Sequence, residues 1–196
     1  YEHISGTQYR FFFKFYRDCS GATAPSSAPL CIYNTCTNTS FSTTMNAYNG
    51  SIPPYGLPNG SSVSAGCSSY PNKCDNSGST LPGYQEWWYT AIVTLPNLQC
   101  NYFKFATWIG VRNPSNNIAG GNFYIETIFN TQVSWNNSSP NFSVKPIPYV
   151  CINQNYTYNN GAVDIDGDSL WSEVINPLVG SACNTPATNM GLIGQT

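Results

Sequence analysis

The sequence predicts an all-β protein, an antiparallel Ig-like β-sandwich with long disulfide-stapled loops. Three observations lead there. Apolar and polar residues alternate at a period of two over long aromatic runs, no stretch repeats apolar residues at helical spacing, and turn-forming residues separate the runs. Aromatic residues make up 15% of the chain, far too many for a solvated linker. Polarity comes mainly from uncharged groups, 24 Asn, 22 Ser and 17 Thr, against a charged content of only 8%. Sheets with wet, amide- and hydroxyl-rich outer faces fit that composition.

The first strand runs from Thr7 to Arg17, where Tyr9, Phe11, Phe13 and Phe15 share one face and Arg10, Lys14 and Tyr16 lie opposite with Phe12. The region 19–82 breaks this rhythm. It is rich in Ser, Thr, Pro, Gly and Asn and carries five of the eight cysteines, so short strands near Leu30–Tyr33 and Ser61–Val63, pinned by disulfides, are expected there instead of a structureless loop. Alternation resumes at Trp87–Leu95 and at Tyr102–Arg112, where Phe103, Phe105, Ile109 and Val111 oppose Lys104, Trp108 and Arg112. A fourth long strand spans Asn122–Phe129, and shorter ones are expected at Gln132–Trp135, Phe142–Val144, Tyr156–Tyr158 and Ser169–Ile175.

Lys145-Pro-Ile-Pro-Tyr marks the expected domain boundary, because two prolines one residue apart favour an extended connector. The reading is a sandwich over residues 1–145, a proline linker at 146–149, and the start of a second, cadherin-like β unit at 150–196 that is truncated or completed from outside.

Composition excludes several functions. Seven Lys and Arg against nine Asp and Glu give a net charge of −2, which leaves no basic face for a phosphate backbone, so no nucleic-acid partner is expected. No run of about 18 apolar residues exists to span a bilayer as a helix. The eight cysteines, Cys19, Cys31, Cys36, Cys67, Cys74, Cys100, Cys151 and Cys183, form no Cys-x-x-Cys pair, and the single histidine, His3, is distant in sequence. Disulfides in an oxidising compartment therefore outweigh zinc. Cys67 and Cys74 enclose a small loop and are expected to pair. Cys151 and Cys183, both beyond the boundary, form the preferred second pair; the other connectivities stay open.

Five segments carry a resemblance: Phe15-Tyr-Arg-Asp-Cys-Ser-Gly, Leu81-Pro-Gly-Tyr-Gln-Glu-Trp-Trp-Tyr, Thr94-Leu-Pro-Asn-Leu-Gln-Cys, Pro148-Tyr-Val-Cys-Ile-Asn-Gln and Asn160-Gly-Ala-Val-Asp-Ile-Asp-Gly-Asp-Ser-Leu. In this order they resemble the N-terminal module of large cell-surface proteins of the Bacteroidota, which carry Ig-like or PKD-type repeats and a gliding-motility-associated C-terminal region. A Cys-Cys-Arg-Asn element of that family reads Ile109-Gly-Val-Arg-Asn here. The resemblance implies export by the type IX route, attachment at the cell surface and no known catalysis.

Three of the five aspartates, Asp164, Asp166 and Asp168, fall within five residues around Gly167. Clustered carboxylates repel unless solvated or neutralised, so they are candidate Ca²⁺ ligands; the competing reading is a tight Asp-Gly turn. The segment also resembles the Asp-x-Asp-Gly-Asp stretch of cadherin-like adhesin repeats. Asp168-Ser-Leu resembles the O-glycosylation acceptor of the Bacteroidota, with Ser169 modified. Trp87 and Trp88 must face opposite sides of a strand, and an exposed one beside Tyr84 would stack on a sugar ring. Catalysis lacks parts. His3 is the only imidazole, the cysteines are expected to be oxidised, and Glu2, Glu86, Glu126 and Glu173 are isolated in sequence. The expected function is a non-catalytic structural or adhesive module of an extracellular surface assembly, with neighbouring domains or subunits as partners. A secreted carbohydrate-binding module is the alternative.

Overall fold

A computed structural model describes residues 1–48, 56–63, 70–96, 102–110, 112, 115–131, 133–146 and 153–191. Among them there is no helix. The strands in chain order are β1 (Glu2–Ser5), β2 (Gln8–Asp18), β3 (Ser27–Asn34), β4 (Thr39–Ala47), β5 (Ser61–Val63), β6 (Tyr84–Thr94), β7 (Tyr102–Ile109), β8 (Phe123–Asn130), β9 (Asn141–Phe142), β10 (Ala162–Val163), β11 (Leu178–Val179) and β12 (Thr188–Asn189). Ten of them form one antiparallel sheet in the order β1-β2-β6-β4-β3-β7-β8-β11-β12, with β5 added beside β6; β9 and β10 pair separately.

The sheet curls on itself, and the aromatic alternation is the reason. β2 and β7 stand four places apart in the sheet order, yet the Phe11 and Phe105 rings lie 4.5 Å apart. Tyr9 likewise meets Phe129 of β8 at 5.2 Å. Rings of this size need a second wall of side chains to exclude water, and closure of the sheet supplies one. The core holds Tyr9, Phe11 and Phe13 of β2, Leu30 and Ile32 of β3, Tyr89 and Val93 of β6, and Phe103 and Phe105 of β7. Tyr1 closes one end over Phe129, and Trp135 packs edge-on against the same ring.

The long strands fall where alternation places them, and β2 pairs with β6 over its whole length, from Gln8↔Thr94 to Asp18↔Tyr84. β4 was not foreseen. Its sequence, Thr-Ser-Phe-Ser-Thr-Thr-Met-Asn-Ala, has no apolar alternation because only Met45 is buried. The β3–β4 turn supplies its register: Asn34 Oδ1 accepts the Cys36 and Thr37 N–H groups, and Asn38 takes φ 55°, which Asn tolerates well. Val133–Trp135 and Tyr156–Tyr158 are not strands, although the Tyr156 and Tyr158 rings stack at 6.5 Å; Gln132 lies outside the described residues. The expected strand at Ser169–Ile175 is an exposed segment that pairs with no described strand.

Pairing crosses the boundary expected at 146–149. Ala162↔Phe142 and Val163↔Asn141 join β10 to β9, and Leu178 lies opposite Tyr124 in the main sheet. The described part of 150–196 therefore shares its sheets with the first 145 residues.

Both predicted cysteine pairs are corrected. Cys74 bonds to Cys19, not Cys67, and Cys183 bonds to Cys31, not Cys151. Sheet register, not nearness in sequence, brings these sulfurs together: the end of β2 meets the loop before β6, and the C-terminal segment folds over the outer face of β3, β7 and β8. There Cys183 and Cys31 pack with Ala106 and Tyr124. Cys36 is also disulfide-bonded. Cys67, Cys100 and Cys151 lie outside the described residues.

Candidate functional site

The acidic segment follows β10 and reaches the end of the sandwich closed by Tyr1. Asp164 Oδ1 accepts the N–H groups of Asp166 at 2.9 Å and Asp168 at 3.3 Å, and Gly167 takes φ +82°, where a side chain would strain the backbone. Asp166 Oδ2 accepts the Ser138 N–H at 2.6 Å, which ties the turn to the body. Asp166 and Asp168 line a cavity of about 470 Å³ whose walls include Tyr1, Ile128, Val133 and Asn137. Burial pushes the Tyr1 phenol up, a hydrogen bond from Asn137 opposes this, and the three aspartates add to the rise.

Backbone N–H groups therefore occupy oxygens of two of the three proposed calcium ligands. Among the described residues, no group of three or more His, Cys, Asp or Glu side chains is placed to hold a metal ion. The geometry is an Asx-type turn in which one oxygen each of Asp164 and Asp166 accepts backbone N–H groups. Ser169 is exposed just beyond it.

The two tryptophans part as their adjacency requires. Trp88 is only 4% exposed and lies on the outer face of β6, so it is closed to a sugar ring, contrary to one expectation. Gly56 covers it so closely that any Cβ there would sit 2.2 Å from Trp88 Nε1. Asn59 brackets its backbone, with Oδ1 accepting Trp88 N–H at 2.6 Å and Nδ2 donating to Trp88 O at 3.0 Å. Tyr84 shares the Trp88 face and is half-buried. Trp87, on the other face, is half-buried against the core and lines a second cavity of about 520 Å³ with Ala24, Pro25, Ser26, Asn46 and Ala47. Its indole N–H is buried with no hydrogen-bond partner among the described residues. Hence Tyr84, Trp87 and Trp88 do not form one platform.

Sequence reading missed the most constrained polar group, Glu86. It is 0% exposed, and its Oε1 accepts Leu57 N–H at 2.7 Å and Trp88 Nε1–H at 2.8 Å, while Oε2 accepts the Tyr16 hydroxyl at 3.3 Å. The Lys14 ammonium stands 5.1 Å from the Trp88 ring centroid. Burial lowers the Lys14 pKa against the opposing pull of Glu86, and the Tyr16 phenol is raised by burial and then by Glu86. A carboxylate surrounded in this way fastens residues 56–63 onto the sheet. It lines neither of the two cavities described above. The signal in the sequence was faint: the polar Glu86 interrupts an otherwise apolar alternation directly before Trp87-Trp88, as an outward-facing solvated residue would.

A second missed feature is apolar exposure after the acidic turn, where Trp171 is 80% and Val174 101% exposed. Comparison with known protein families, with curated proteins and with solved structures finds no match to this chain.

Proposed function

We propose that this chain is a non-catalytic extracellular module of a bacterial surface protein or surface fibre, with a structural and adhesive role and with neighbouring domains or subunits as its partners. One observation carries the reading: the Cys31–Cys183 bridge joins the third strand to the C-terminal segment across 152 residues of sequence. Such a bond persists in an oxidising environment and is rare where thiols are kept reduced. It restrains the unfolded chain and fixes the C-terminal segment to the sheet covalently. The hydroxyl-rich exposed face of β4 and the low charge suit a surface whose hydrogen bonds salt barely screens. The best-organised buried polar cluster, around Glu86, is committed to holding a loop. An antibody against the chain should label intact cells of the source organism; labelling only after permeabilisation would contradict the proposal.

A second reading rests on the Trp87 cavity. A half-buried indole with an unpartnered N–H beside Ser26 and Asn46 offers an apolar face and polar neighbours to a sugar. Binding on a glycan array that is lost in a folded Trp87→Ala variant, and kept in Tyr84→Ala, would favour it.

A further inference from the structure

We propose that Ser169–Asn176 is a strand poised to close onto the edge of β8 of its own chain, extending the pairing that β11 begins. Three observations meet here. First, β8 is half-paired: β7 lines one edge along its length, whereas on the other edge Leu178 pairs with Tyr124 and the described residues add no strand beside Ile125–Phe129. Ile128 on this edge is 60% exposed. An open apolar edge of this kind is the usual template for adding another strand.

Second, the segment just before β11 has strand character and no strand partner among the described residues. Leu170, Trp171, Val174 and Ile175 are all exposed, and no residue from Ser169 to Asn176 makes a backbone hydrogen bond to a described residue. The run Leu-Trp-Ser-Glu-Val-Ile is rich in β-branched and aromatic residues.

Third, the segment is anchored at both ends, and one end sets a register with β8. Leu178 opposite Tyr124 sets an antiparallel register, and stepping away from that pair brings Asn176 opposite Glu126, Ile175 opposite Thr127 and Val174 opposite Ile128. The two most exposed aliphatic residues of the two segments therefore meet. Beyond the end of β8, Ser134 and Asn136 line one cavity together with Asp168 and Asp166. Asp166 is fastened there by the Ser138 N–H. The segment is thus held just before its start by the Asp166–Ser138 bond and just after its end by β11. Pro177 does not obstruct closure: its carbonyl accepts Met190 N–H at 2.8 Å, so its polar backbone side faces β12, and the missing N–H is not one that β8 requires.

The occupant of the edge is this chain's own segment because the pairing is continuous with β11. Zipping from a formed pair adds bonds without closing a new loop, whereas a second copy would have to give up translational freedom first.

The test places cysteines on the predicted opposite pair, Ile128→Cys with Val174→Cys, in the full chain equilibrated with oxidised glutathione and mapped by non-reducing peptide mass spectrometry. Ile128→Cys with Glu173→Cys, one residue out of register, is the comparison. The in-register pair should give at least tenfold more intrachain 128–174 linkage. Equal linkage in both variants, or linkage found mainly between two chains, would overturn the proposal. Hydrogen exchange on the unsubstituted chain covers the case in which the variants misfold. Alternate amides from Ser172 to Asn176 should exchange at least tenfold more slowly than free peptide; exchange at free-peptide rates throughout would equally overturn it.

Discussion

Removing the Cys31–Cys183 bridge by paired Cys→Ala substitution should destabilise the chain more than any single change on its surface. The bond spans 152 residues. With loop-closure entropy growing as 1.5R ln n plus a constant, a cross-link of that span restrains the unfolded chain by about 5 kcal/mol at 25 °C. The Cys19–Cys74 bridge, of separation 55, overlaps this loop but shortens the path only modestly, so the figure falls by a few tenths. Both sulfurs are buried, so truncation also leaves a small void beside Ala106 and Tyr124, which adds to the loss. An unfolding entropy of about 2.1 cal/mol/K per residue converts 5 kcal/mol into a fall of roughly 12 °C in Tm for a chain of this length. Differential scanning calorimetry of the double variant, with far-UV circular dichroism to confirm a folded sheet, measures it. A fall of less than about 3 °C in a folded variant would refute the claim that the covalent tie, and not the packing of the C-terminal segment, holds that segment in place.

Glu86→Ala should cost about 2–5 kcal/mol in urea unfolding, because Trp88 Nε1–H and Leu57 N–H lose a shared buried acceptor; Glu86→Gln, which keeps one acceptor oxygen, should cost clearly less. The alkaline limb of stability follows from two buried phenols. Burial pushes Tyr9 and Tyr89 up to about 12 from 10, and each donates its hydroxyl to a carbonyl, Trp135 O and Pro25 O. Because the folded values lie above the unfolded one, this contribution is complete below pH 10 and is lost as pH rises toward 12. Tyrosine absorbance at 295 nm, followed with circular dichroism, should show at least two phenols ionising only with unfolding; smooth titration near pH 10 in a folded chain would contradict it. Chelation by EDTA should leave Tm within about 1 °C, since Asp164 and Asp166 hold the turn by accepting backbone N–H groups.

The parts of the fold that were legible in sequence are those in which one face of a strand is buried and the other wet. Tyr9, Phe11, Phe13 and Phe15 announced β2 because a period of two is local information. β4 carried no such mark: its position depends on β3 beside it, and its hydroxyl-rich faces are wet. Ser169–Ile175 shows the converse. Its residues favour a strand, but pairing is a property of two segments, and in this structure the second is not engaged. Cysteine pairing was illegible for the same reason. Cys67 and Cys74 are neighbours in sequence, whereas Cys19 and Cys74 are brought to a Cα separation of 5.2 Å by the β2–β6 register. Glu86 looked isolated because its partners, Leu57, Trp88 and Tyr16, come from three segments. The acidic turn was readable as two alternatives, a calcium site or an Asp-Gly turn, and the accepted hydrogen bonds show the turn.

Non-reducing peptide mapping of the native chain tests the central claim most directly, that a curled aromatic sheet is fastened by long-range oxidised cross-links. The account predicts peptides joining Cys19 to Cys74 and Cys31 to Cys183. Free thiols at these four positions, or peptides joining Cys67 to Cys74 and Cys151 to Cys183, would contradict it.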